Sequence, residues 1–194
     1  MDRKEEIIEP LGSCYSLLPA TFELIVKFFD TGDEQLAQIT YQTVGCAVRH
    51  VGAPAVLAVI PLDIDPNAAV LSTEFTRSWL IPVLRVNLHN APLAYFASHI
   101  LPIAVKIYRL GTLDPVPQRL YTTLQMQLWE LLPAFCDSPS DLEESFPHLA
   151  PVLGAAMNER DDLKLTILSA LRRIVRFALQ PDAPERVEVY FLSF

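Results

Sequence analysis

The residue types that most often do chemistry are paired carboxylates, histidines, cysteines and activated serines, and each occurs here in a pattern that can be judged by its spacing. Leu62-Asp-Ile-Asp65 follows an apolar run. An Asp-x-Asp at the end of a buried strand can supply a phosphoryl-accepting nucleophile and a neighbouring acid around a magnesium ion. The run before it contains Pro54 and Pro61, which a central strand does not tolerate, and neither a glycine-rich turn nor a positioned lysine follows. Asp63 and Asp65 therefore read as carboxylates of a polar loop. His50, His89, His99 and His148 form no H-E-x-x-H and share no metal spacing. Ser13 and Ser16 lack a G-x-S-x-G frame, and there is no Walker loop. Cys14, Cys46 and Cys136 are scattered in apolar surroundings without a C-x-x-C, as expected of small hydrophobes in a reducing compartment. Asp137-Ser-Pro-Ser-Asp141 holds candidate phosphoacceptor serines, but a loop closed by a helix cap at Ser140 is the stronger reading. No catalytic residue, metal ligand, cofactor or small-molecule substrate is predicted.

Binding is the remaining class. The chain has 15 basic and 23 acidic residues, a net charge of −8 over 194 residues. A nucleic-acid-binding domain usually presents a net basic field, and only the middle third does so. Residues 75–128 hold Arg77, Arg85, Lys106, Arg109 and Arg119 against one acid, Asp114, while acids dominate on both sides. Those five are the candidate contacts for RNA or a partner, provided their helices stack in register and share an edge.

The elements that must position them are helical. Hydrophobic residues make up 51% of the chain and charged ones 20%, too apolar for disorder. Six glycines against sixteen prolines argue against a β-protein with many tight turns. Phe22, Ile25, Val26 and Phe29 recur at helical spacing. Thr31-Gly-Asp-Glu34 reads as a capping box opening a helix that buries Leu36, Ile39, Val44 and Val48. A short apolar helix is expected over 55–60, another over about 74–89, and a third from Pro92 at N1 to Gly111. Helices over 119–135 and from Ser140 toward Met157 follow. The last strong one, about 161–179, is expected to bury Ile167, Leu168, Leu171, Ile174, Val175 and Ala178. Strand character is confined to Val187–Phe194, within an irregular tail over 181–194. The uncharged run Val86–Val105 has the length of a membrane span, but its asparagines, histidines and prolines exclude that reading.

Two apolar residues followed by proline recur at Pro19, Pro61, Pro82, Pro102 and Pro133. A period of about 40 residues with a half-step of about 20 matches stacked helix pairs of the HEAT or armadillo kind, in preference to a compact bundle. The expected fold is an all-α, right-handed α-solenoid of about eight helices. It forms a single helical-repeat region over 1–194, without a polar terminal cap, so its last helix should leave an apolar end that favours self-association.

Two segments carry more than periodicity. Ser78-Trp-Leu-Ile-Pro-Val-Leu-Arg85 leads into Leu93-Ala-Tyr-Phe-Ala-Ser98 and Leu101-Pro-Ile-Ala104. Later come Tyr121-Thr-Thr-Leu124, Gln127-Leu-Trp-Glu-Leu-Leu-Pro-Ala-Phe-Cys136, Ser145-Phe146, Leu149-Ala150 and Asn158-Glu-Arg-Asp-Asp-Leu163. This ordered set, over roughly residues 55–178, resembles the helical-repeat region of the ribosomal RNA-processing protein 12 family. The resemblance implies a eukaryotic nuclear and nucleolar HEAT-repeat scaffold of ribosome biogenesis, associated with small-subunit precursors. It also implies pre-ribosomal particle proteins, pre-rRNA and importin-like transport factors as partners, and no catalytic residues. Family members are several times longer, which implies a fragment of a longer array or a shortened paralogue. The alternative function is a general HEAT-repeat adaptor in nucleocytoplasmic transport or another assembly.

Overall fold

The computed structural model describes residues 18–29, 33–64, 75–113 and 118–179, and every regular element among them is helical. They fall into two compact units, residues 1–62 and 63–194. The expected strand at 187–194, the Thr31 cap, Asp65, Asp114 and Cys14 lie outside the described residues.

The first unit contains α1 (Leu18–Phe29), α2 (Glu34–His50) and α3 (Ala53–Val59). Glu34 is the first residue of α2 rather than its third, and the cap is Asp33. Its Oδ1 accepts from the backbone N–H of Gln35 at 2.8 Å and of Leu36 at 3.1 Å. An aspartate immediately ahead of the first turn reaches two of the amides that have no intrahelical acceptor. The buried stripe of α2 is Thr40, Val44 and Val48 at steps of four. Ile39 is one residue before Thr40 and so lies about 100° around the helix from that stripe, and it stays exposed, contrary to the expectation from its apolarity. The Thr40 hydroxyl, buried with its stripe, donates to the Ile25 carbonyl of α1 at 3.4 Å. Gly52 caps α3 at φ +97°, a conformation an L side chain rarely adopts.

The second unit holds α4 (Leu80–Asn87), α5 (93–113), α6 (Gln118–Trp129), the single turn α7 (Leu132–Phe135), α8 (Leu142–Glu159) and α9 (Lys164–Ala178). A 3₁₀ turn, Asp161–Leu163, leads into α9. Together with the first unit this makes eight helices longer than one turn among the described residues. None is long and apolar enough to cross a membrane.

Proline and its missing N–H shape several of these helices. Pro19, Pro82, Pro102 and Pro133 each fall in the first turn of a helical segment, where that N–H has no intrahelical acceptor to lose. Pro102 does so inside a longer helix. α5 runs as Leu93–Tyr95, a π-helical Phe96–Ile100 and then Leu101–Leu113, and the Leu101 N–H reaches back five residues to the Phe96 carbonyl. The wider turn accommodates the residue that cannot donate. Gly111 does not end α5 as expected. It lies buried within the helix, where a Cβ would come 3.3 Å from the Cβ of Tyr121, so its bareness lets α5 and α6 approach closely.

The core of this unit is built on 129–136. Trp129, Leu131, Leu132, Phe135 and Cys136 are buried. Phe96 meets Trp129 edge-on at 6.3 Å and Phe135 at 5.6 Å between centroids. Cys136 behaves as the small hydrophobe expected, with burial pushing its thiol up to about 12. Cys46 departs from that expectation and is exposed on α2, one residue past the buried pair Val44 and Gly45.

The candidate interaction surface

α5 and α6 pack along their lengths and carry three of the five basic candidates. Lys106 and Arg109 stand three residues apart on α5, hence on neighbouring positions of one side. Lys106 is half-buried and Arg109 exposed; Arg119 is exposed in the first turn of α6. Arg85 on α4 is already paired. Its Nη1 donates to Glu130 Oε2 at 2.5 Å, across the end of α6. Arg77 is half-buried in the turn before α4, and both it and Arg109 have a partner within the chain. The structure thus groups Lys106 and Arg109 on one helix, sets Arg119 on its partner helix and diverts Arg85 to a carboxylate.

The start of α5 explains how that helix is held. Pro92 is the residue before the helix, not its first, and has no side-chain acceptor for the free amides. Asp141 supplies one from 48 residues away, its carboxylate accepting from the Leu93 N–H at 2.6 Å and the Ala94 N–H at 2.9 Å. The Ser145 hydroxyl donates to the same carboxylate at 2.6 Å. Ser140 therefore does not cap α8 in the expected box. Asp141 precedes α8 and makes no side-chain cap there, because its carboxylate is committed to α5.

One residue of the family-like segment Asn158–Leu163 acquires its role only in the tertiary structure. Arg160 sits between α8 and the turn before α9 and ties three elements together. Its guanidinium lies 3.9 Å over the Tyr108 ring of α5, donates to the buried Gln125 Oε1 of α6 at 3.2 Å, and pairs with Asp162 through contacts of 2.8 and 2.5 Å. The hydrogen bond from Arg160 is the main cause holding the Asp162 carboxyl below its ordinary range, and that bond also raises Arg160. The signals for it in the sequence were the family-like segment Asn158–Leu163 and a glutamine, Gln125, among the apolar positions of α6.

The chemistry candidates stay apart. The four histidines are all exposed, His99 stacked on Tyr95 at 4.3 Å and hydrogen-bonded to the Ser98 hydroxyl at 2.8 Å. Asp63 is exposed in the loop after α3 with φ at 60°. Among the described residues no group of three His, Cys, Asp or Glu is placed to hold a metal ion.

The pattern of the family described as "Ribosomal RNA-processing protein 12, HEAT repeats" matches residues 8–189. The chain belongs to that family. It is 39% identical over 155 residues to the human RRP12-like protein and 41% over 154 to that of chicken, each alignment covering 76% of this chain and 12% of the relative. The Ribosomal RNA-processing protein 12 of Saccharomyces cerevisiae is 31% identical over 157 residues, again with 12% of its length covered. The chain thus spans about an eighth of the curated relatives it matches. In this ribosomal RNA-processing protein 12 HEAT-repeat family the all-α solenoid is the shared architecture. The Trp129–Cys136 segment and Arg160, both within the segments that resemble the family, are respectively core and clamp.

Proposed function

We propose that the chain is a non-catalytic helical-repeat scaffold in ribosome biogenesis, serving pre-rRNA processing and the assembly and export of small-subunit precursors in the nucleus and nucleolus. The observation that carries this reading is the family match over 8–189, joined by relatives named for ribosomal RNA processing. Its mechanism is presentation: stacked helices offer an extended surface to pre-ribosomal proteins, to importin-like transport factors and to pre-rRNA. The test is sedimentation of the tagged chain with localisation in cells. Migration with small-subunit precursors and nucleolar signal are expected; migration only in light soluble complexes would favour a general transport adaptor.

Direct RNA contact in this reading falls to Arg77, Arg85, Lys106, Arg109 and Arg119. Each lost phosphate contact weakens binding regardless of sequence and lowers the salt slope by roughly one unit. The triple variant Arg77→Glu, Arg85→Glu, Arg109→Glu is expected to bind RNA more weakly with a shallower salt dependence than wild type. Equal affinities and slopes would reject the basic edge and leave protein partners.

A further inference from the structure

Helix α9 has two unlike faces. Ile167, Ala170, Ile174 and Ala178 are buried against the unit. On the opposite side Leu165, Leu168, Arg172, Arg176 and Leu179 follow one another at steps of three and four, which places them on one stripe. Its three leucines are 81%, 50% and 74% exposed in chain order. The two guanidiniums in the middle have no partner among the described residues. Arg173 turns away to the Pro133 carbonyl at 3.1 Å and to Asp137 at 3.6 Å, and the acids at the head of α9 are held by Lys164 and Arg160.

We propose that this stripe docks an amphipathic helix of a partner protein, one whose apolar residues are flanked by aspartate or glutamate. The proposal goes beyond the reading in ribosome biogenesis and does not depend on it. The argument is charge complementarity: α9 carries Lys164, Arg172, Arg173 and Arg176 and no acid, on a chain of net charge −8. Covering the three leucines removes apolar surface from water, but it also covers Arg172 and Arg176, and a buried guanidinium without a counter-charge is costly. The occupant must therefore bring carboxylates to the centre of the stripe, where the guanidinium forks donate to them in bidentate pairs. A further apolar repeat packed there would strand both charges. A second copy of the chain does no better: paired antiparallel about the stripe's centre, Arg172 faces itself, and paired parallel, both arginines face themselves. RNA would meet the charges and leave the leucines uncovered.

The full chain is to be panned against two matched displayed libraries of helical peptides with the same apolar seam, flanked by Asp and Glu in one and by Lys and Arg in the other. Enrichment of the acidic library is expected, with selected peptides binding at least about tenfold more weakly to Arg172→Glu/Arg176→Glu and to Leu168→Ser. Both changes are at exposed positions, so the fold is retained. Equal enrichment of the two libraries, or affinities indifferent to both variants, would overturn the proposal. So would a concentration-dependent dimer abolished by Leu168→Ser, which assigns the face to a second copy, or poly(U) binding lost in the arginine variant without peptide selection, which assigns it to RNA.

Discussion

The middle third of the chain and its last described helix both carry arginines, but most of those in the middle third are engaged by their own fold, whereas two of the three on α9 are not. In the middle third Arg85 is paired with Glu130, and Arg77 and Arg109 are engaged within the chain. On α9 Arg172 and Arg176 stand between exposed leucines with no partner among the described residues. Net charge along the sequence pointed to the first region as the binding surface, because it counts charges and not their neighbours. A charge already satisfied by its own fold must share or give up that contact to serve a partner, whereas an unpaired one beside apolar surface has both polarity and area left to offer.

The comparison rests on a common core, and the largest expected effect tests it. Phe135→Ala removes a fully buried ring that touches Phe96 and Tyr95, and should cost about 3–5 kcal/mol in chemical denaturation. Leu168→Ala, on the outer stripe, should stay within about 0.5 kcal/mol of wild type. Similar costs for the two would erase the distinction between the buried core and the outer stripe of α9.

Arg160→Ala comes next, at about 1–3 kcal/mol, since it leaves the buried Gln125 oxygen without its donor. The same cluster predicts a pH dependence. Asp162 is held below its ordinary value of 3.8, so its contribution is complete above that value and fades as pH falls through the lowered one. Asp162→Asn should therefore be less stable than wild type at neutral pH, with the gap in Tm closing in acid. A gap independent of pH would remove the ion pair from the account.

Asp141→Ala should cost about 1 kcal/mol, the usual loss of a cap, and loosen the helix that presents Lys106 and Arg109. Ser140→Ala should leave thermal stability unchanged. The reverse ranking would restore Ser140 as the cap of α8. The smallest effect sharpens the opening contrast most directly. Arg85→Ala should lose no more than about 0.5 kcal/mol, as an exposed pair does, and Arg172→Ala nothing measurable. Their difference, from denaturation curves at low and high salt, measures how far one arginine is engaged and the other free.

What the sequence by itself determined is what neighbouring residues decide among themselves. Apolar spacing located α1, α5, α6 and α9, and proline positions marked helix starts, since periodicity and a missing N–H act within a few residues. The ordered motif around Trp129–Cys136 marked the family, and its residues proved to be core. What only the tertiary structure decided is which distant group answers each local need. Pro92 left two amides open, and nothing near it announced that Asp141 would accept from them. Apolarity alone predicted Ile39 and Leu168 to be buried, and both are exposed because they lie beside the stripe that meets a neighbour. Arg85 and Arg172 carry the same charge in sequence. One folded against a carboxylate 45 residues away and the other did not, and that pairing depends on which helices come together.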